Sequence, residues 1–234
     1  MSLMALLIIA GIIFIALVGC TFIKDKRKSY TYAFIGVFAM IGLLVGFVWA
    51  NYPLIFYSMG DRQLAMMNAD NGYVIAKNLD DAGSAKFVVA GSSWSKELKS
   101  SGVEGVVYGL RFGGAWNHNI ERYGYSNYIE FGKGVSGMSE ENIDKIIADL
   151  QAMKPDYVVL DANFPASFYQ KGRAAGMKFV VALLSESTVP QREIDSGNVE
   201  FVVTRDIRGG LFDMPPSDWE EHTAKRVGII KKSK

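Results

Sequence analysis

Ser139-Glu-Glu-Asn-Ile143-Asp-Lys-Ile146-Ile147-Ala-Asp-Leu150-Gln-Ala-Met-Lys154-Pro155-Asp-Tyr157-Val-Val-Leu160-Asp161 is the stretch that settles the fold class. Ile143, Ile146, Ile147 and Leu150 recur at i, i+3, i+4 and i+7, which puts them on one face of an α-helix. Glu140 and Glu141 just after Ser139 suit the start of that helix, where free N–H groups favour acids. Lys154-Pro155 stops it. The run Tyr157 to Leu160 is then apolar at every position and ends in Asp161. A strand that is apolar on both faces fits a parallel sheet covered by helices on both sides.

The same alternation extends in both directions. Lys86–Ala90, Gly105–Gly109, Tyr157–Asp161, Phe179–Leu184, Phe201–Thr204 and Val227–Ile230 read as strands. Gly102 and Gly176 are placed to end helices just before strands, and Ser217-Asp-Trp-Glu220 has the spacing of a capping box. Strand, helix, strand in repetition argues a doubly wound α/β domain with right-handed crossovers over residues 86–234. That length buries a core without disulfides or metals. Residues 58–85, with the turn-like cluster Asn68-Ala-Asp-Asn-Gly72, read as a helical stalk and connector.

Residues 1–57 have another character. Lys24, Asp25, Lys26, Arg27 and Lys28 are their sole charged side chains, in a chain of 234 residues with 25 Lys+Arg and 24 Asp+Glu. The uncharged runs at about 4–23 and 30–52 are each long enough to cross a bilayer, and Tyr30, Tyr32, Trp49, Tyr52 and Tyr57 bracket the second as interfacial aromatics do. The reading is a two-helix transmembrane hairpin with Lys24–Ser29 as its connector. In a bacterium the positive-inside rule places that connector in the cytoplasm. The protein is then a two-pass protein of the inner membrane, touching lipid through residues 4–52, with both termini outside. Leu17-Val-Gly-Cys20 resembles a lipobox, but no basic stretch precedes it, and Cys20 reads as a packed helix residue.

Composition excludes several classes. A net charge of +1 gives no case for nucleic acid, and one cysteine excludes disulfide scaffolds and multi-cysteine metal sites. No glycine-rich phosphate loop or nucleophile elbow is present. His118 and His222 form no spaced ligand set, so the expectation is no metal, no cofactor and no catalytic residue. In an open α/β sheet, ligands sit beyond the carboxyl ends of the strands. Those ends supply Ser92, Ser93, Arg111, Asp161, Asn163, Glu186 and Arg205, a polar collar that is either a binding site or the turn chemistry every such strand needs. Residues 108–131 break the rhythm with Tyr108, Phe112, Trp116, Tyr123, Tyr125, Tyr128 and Phe131. They form either a recognition loop or lid over the sheet's carboxyl edge, with Trp116 and His118 as contacts, or an extra hairpin at Tyr125–Phe131.

Two family resemblances attach to these residues. Tyr157-Val-Val-Leu-Asp161-Ala-Asn163-Phe-Pro165 resembles the phosphoacceptor strand of response-regulator receiver domains, which implies a flavodoxin-like fold with Asp161 at its acceptor position. The acidic pair and the lysine of those domains stand here as Gly91-Ser92-Ser93 and Arg205, so the resemblance implies a receiver fold without its phosphorylation machinery. Glu141-Asn-Ile-Asp-Lys-Ile-Ile147, Lys154-Pro-Asp-Tyr-Val-Val159 and Ala175-Gly-Met-Lys-Phe-Val-Val181 are similar to the first lobe of periplasmic siderophore-, metal- and cobalamin-binding proteins. This implies a binding-protein-lobe fold outside the cytoplasm. The expected function is non-catalytic recognition of a partner protein by an anchored extracytoplasmic domain, in sensing, envelope assembly, or exclusion and immunity. The alternatives are a small-ligand or enzymatic site at the sheet's carboxyl edge and a degenerate cytoplasmic signalling domain.

Overall fold

The structure, a computed structural model, describes residues 13, 18, 25–51, 58–92, 100–130, 132, 134–184, 189–206 and 216–232. The chain divides into two compact units, Met1–Phe56 and Tyr57–Lys234.

In the first unit, α1 (Lys26–Asn51) begins at Asp25, whose Oδ1 accepts from the N–H groups of Arg27 and Lys28 at 3.1 and 3.4 Å. Part of the expected connector, Lys26–Ser29, is therefore the first helical turn. Phe34, Ile35 and Leu44 are 65, 57 and 64% exposed on this helix. Its segment Lys26–Gly46 is the one helix among the described residues long and apolar enough to cross a membrane. Apart from Ile13 and Val18, the expected first crossing at 4–23, with Cys20, lies outside the described residues, so the structure supports one membrane helix and not the hairpin or two-pass topology.

The second unit is built on a six-stranded sheet in the order β2-β1-β3-β4-β5-β6. Its strands are β1 (Phe87–Gly91), β2 (Ile120–Gly124), β3 (Tyr157–Leu160), β4 (Phe179–Leu183), β5 (Phe201–Arg205) and β6 (Val227–Ile230). All pairs are parallel except β5 with β6. Every residue of β1, β3 and β4 is buried, as strands covered on both faces require. Val88, Ala90, Val158, Leu160, Val181, Leu183 and Val202 face a core with α4 (Glu140–Met153) and α5 (Ala166–Ala174). The alternate positions face α2 (Met59–Lys77) and α3 (Ser101–Gly113). Two short helices, α6 (Gln191–Asp195) and α7 (Trp219–Ala224), complete the unit.

The helix that opened the sequence reading forms as expected. Ile143, Ile146, Ile147 and Leu150 are its buried face, the Ser139 hydroxyl accepts from Asn142 N–H at 3.3 Å, and Lys154 closes it at φ 51°. Gly176, at φ 84°, follows the end of α5 as expected. Gly102 does not end a helix; it is the second residue of α3. The expected capping box at Ser217 is replaced by Asp218, whose Oδ1 accepts from Glu220 and Glu221 N–H at 2.9 and 3.0 Å.

Three stretches differ more deeply. Gly105–Gly109 is helix, not strand: Val103, Val106, Val107 and Leu110 carry a helical period, and the glycines at 105, 109 and 113 line one face. A β-carbon at Gly105 would fall on the Ala65 backbone, and one at Gly109 on that of Ala69, so these glycines let α2 and α3 touch along their backbones. The stretch read as a stalk is consequently a core helix, buried from Ala65 to Ala76, and Asn68-Ala-Asp-Asn-Gly72 is helical rather than a turn. Residues 108–131 are neither loop nor hairpin. They contain the end of α3, a 3₁₀ turn at Asn117–Asn119, and β2, a parallel edge strand paired Phe87↔Ile120 through Gly91↔Gly124. The near-buried Glu104 carboxylate fixes β2 by accepting two bonds from Arg122, at 2.6 and 2.9 Å.

Candidate functional site at the reversal of strand order

The chain runs outward from β1 to β2 on one side and from β3 to β6 on the other, so the order reverses between β1 and β3. β1 leads on to α3 on one face of the sheet and β3 to α5 on the other, and the carboxyl side of such a reversal is the usual ligand position in this architecture. β1 ends in Gly91 and Ser92; β3 is followed by Asp161. A β-carbon on Gly91 would come within 2.9 Å of Asp161 Oδ2, so glycine is what lets the two strand ends meet.

Two neutral donors converge on that carboxylate. Ser92 N–H donates to Oδ2 at 3.3 Å, the Tyr125 hydroxyl donates to Oδ1, and Asp161 N–H donates to Ala90 O at 3.2 Å, holding the turn. Tyr125 is fully buried, its N–H reaches Gly91 O at 3.3 Å, and its ring meets Phe164 edge-on at 4.9 Å. Phe164 N–H donates to the Tyr169 hydroxyl at 3.0 Å, which in turn donates to Asn163 Oδ1 at 3.2 Å. Burial pushes the Asp161 carboxyl above its ordinary range, against the hydrogen bonds from Tyr125 and Ser92. No cation is among these named contacts. The carboxylate can accept further hydrogen bonds, and the arrangement suits a ligand that donates them.

The sequence collar thus divides. Ser92, Asp161 and Asn163 come together, while Ser93 and Glu186 lie outside the described residues. Arg111, in the last turn of α3, and Trp116 and His118, just before β2, sit at the opposite, amino edge of the sheet. There Trp116 is 61% exposed and meets the His118 ring edge-on at 5.3 Å. Arg205 is not part of an open collar. Alternation along β5 turns it to the α2 face, where it is 1% exposed and its Nε donates to Asp70 Oδ2 at 2.8 Å. Tyr125 was legible as an aromatic but not as a partner of Asp161, since only the β2 pairing brings it beside β1. Among the described residues no group of three or more His, Cys, Asp or Glu could hold a metal ion.

No family model matches the chain, and no curated protein matches it. Among solved structures it is similar to GanP, a glucose-galactose binding protein from Geobacillus stearothermophilus, at 12% identity and TM-score 0.40, over 58% of this chain and 47% of that one. It is also similar to a chain of the TorS sensor domain–TorT complex, at 15% identity and TM-score 0.37, over 62% and 45%. A third is a carbohydrate transporter solute binding protein from Agrobacterium radiobacter, solved with D-arabinose, at 15% identity and TM-score 0.37, over 62% and 48%. The chain spans about half the length of these structures. The structural resemblance is weak.

Proposed function

We propose that the second unit is a non-catalytic binding domain, anchored in a membrane by α1, which takes a small hydrogen-bond-donating solute beyond the carboxyl ends of β1 and β3. The observation that carries this reading is Asp161, a desolvated carboxylate held by the neutral donors of Tyr125 and Ser92 where the strand order reverses. Lys24, Lys26, Arg27 and Lys28 at the start of α1 favour a cytoplasmic N-terminal end for that helix and an extracytoplasmic domain. That orientation does not require a first crossing. Cys20→Ser with a new cysteine at Ser233 tests it: a membrane-impermeant maleimide labels intact bacterial cells when the domain is outside. The ligand reading is tested on the full chain in detergent with a thermal-shift panel of polyols, amines and amino acids. A ligand bound by the folded state raises the melting temperature. The expected result is a shift that Asp161→Asn reduces; no shift across the panel, or one indifferent to Asp161→Asn, overturns the reading.

A second reading is recognition of a partner protein by the amino edge. It is favoured by the exposure of Trp116 together with Phe112, which is 40% exposed. Deleting residues 110–131 would remove β2, so the fair test is Trp116→Ala in a crosslinking pull-down from cells. Undiminished capture removes Trp116 from the contact.

A further inference from the structure

Hydrogen bonds and charge are separate needs of a carboxylate, and within the fold Asp161 has only the first met. Its oxygens are reached by the Ser92 N–H and the Tyr125 hydroxyl, neither of which carries a net charge. Behind the turn the rings of Tyr125, Phe164 and Phe168 are buried against one another, with centroids 4.9 and 4.1 Å apart in sequence. Ser92, Asp161, Ala162 and Asn163 are each partly exposed, so the turn itself can be reached from solvent.

The cations that could have met the second need are engaged elsewhere. Arg205, at the end of β5, donates to Asp70 on the α2 side, and Arg111 lies at the amino edge. On the side of α4 and α5, Lys171 pairs with Glu140 and Asp144 at 2.7 and 2.6 Å. Lys145 pairs with Glu141 at 2.7 Å and Arg173 with Glu200 at 3.3 Å. Burial raises the Asp161 carboxyl, and hydrogen bonds alone oppose that rise, with no positive charge among the causes. Among the described residues, then, Asp161 meets donors but no countercharge.

We propose that the solute held at Asp161 is a primary amine in its ammonium form, which rests on the solute site proposed at this edge and narrows its chemistry. A hydroxyl would add a third neutral donor to a carboxylate that already has two, and would leave the charge without a partner. An ammonium brings N–H donors and a full positive charge in one group. Charge-assisted hydrogen bonds are roughly twice as strong as neutral ones, and charge pairing counts for more where burial has displaced water. A quaternary amine supplies the charge with no N–H to donate. An anionic solute meets a like charge.

The test takes apparent dissociation constants from thermal-shift titrations of the full chain in detergent, in neutral buffer. The probes are pairs that differ in one group: ethanolamine and ethylene glycol, alaninol and propylene glycol, serinol and glycerol. The expected result is that, for a skeleton the site accepts, the amine binds about tenfold or more tightly than its alcohol. Asp161→Asn, which keeps the shape and removes the charge, should abolish that preference. An alcohol that binds the native chain as tightly as its amine overturns the ammonium assignment without any variant having to fold. So does N-acetylethanolamine binding as tightly as ethanolamine, since it keeps an N–H and has no charge. If Asp161→Asn still weakens such an alcohol, the solute site stands and only its chemistry was misassigned. An amine preference that survives in Asp161→Asn places the cation elsewhere and equally sinks the assignment. Binding by no member of the set overturns the solute site itself, and the ammonium with it.

Discussion

Asp70 and Asp161 are both withdrawn carboxylates near the carboxyl edge of one sheet, and they are treated differently. Asp70 is 0% exposed and meets a full countercharge, the Arg205 guanidinium at 2.8 Å. Asp161, only partly withdrawn from solvent, is held by neutral donors, the Tyr125 hydroxyl and the Ser92 N–H. A buried charge that is paired belongs to the scaffold, where losing one partner is costly. A carboxylate that meets no countercharge among the described residues, at a strand reversal, costs the fold something, and such costs concentrate where ligands bind.

The sharpest way to break this comparison is Arg205→Met. It strands Asp70 in the core and should cost about 3–5 kcal/mol in urea unfolding. In the native chain Asp70 titrates at about 6 in place of 3.8. The stability tied to its proton is complete below about 3.8 and lost as pH rises through 6. Removing Arg205 lifts the carboxyl further, so the deficit of Arg205→Met should widen above pH 6. A flat deficit would show that Arg205 serves by packing and not by charge.

Next in size is Gly109→Leu, which forces α2 and α3 apart and should cost about 3 kcal/mol or more by thermal unfolding. This would establish whether the scaffold face depends on backbone contact. Tyr125→Phe removes one donor from Asp161 and should cost about 1–3 kcal/mol at pH 8. Toward pH 4 the loss should shrink, because a protonated Asp161 needs that donor less.

Asp161→Asn tests the opposite side of the comparison. Its raised pKa means that the stability linked to its proton is present at low pH and lost as pH rises through the folded value. The variant should therefore gain on the native chain as pH climbs from 4 to 8, while solute binding falls. Loss of both binding and stability at pH 8 would return Asp161 to the scaffold. Trp116→Ala is the smallest expected change, within about 0.5 kcal/mol, because the side chain is exposed.

Much of this was legible because it is local. Ile143, Ile146, Ile147 and Leu150 declare a helix through their period alone, and Tyr157–Leu160 and Phe179–Leu183 declare buried strands through unbroken apolarity. The carboxyl edge, with Asp161 and Ser92, follows from strand direction. What failed was read from local composition where the cause lies across the fold. Asn68, Asp70, Asn71 and Gly72 look like a turn until Arg205 and the Leu183 carbonyl, 3.0 Å from Asn71 Nδ2, supply partners. Gly105–Gly109 resembles a strand until Ala65 and Ala69 press against its glycines.

The sequence by itself determined that an apolar helix spans about residues 30–52 and that an α/β sheet unit follows, because length, period and hydrophobicity are properties of neighbouring residues. The tertiary structure alone decided that residues 59–77 are core, that Ile120–Gly124 closes one edge of the sheet, and that Arg205 turns inward to Asp70. It also decided that Tyr125 reaches Asp161. Each of those outcomes depends on a partner tens of residues away, and a buried polar side chain shows its role only when the group that satisfies it is in place.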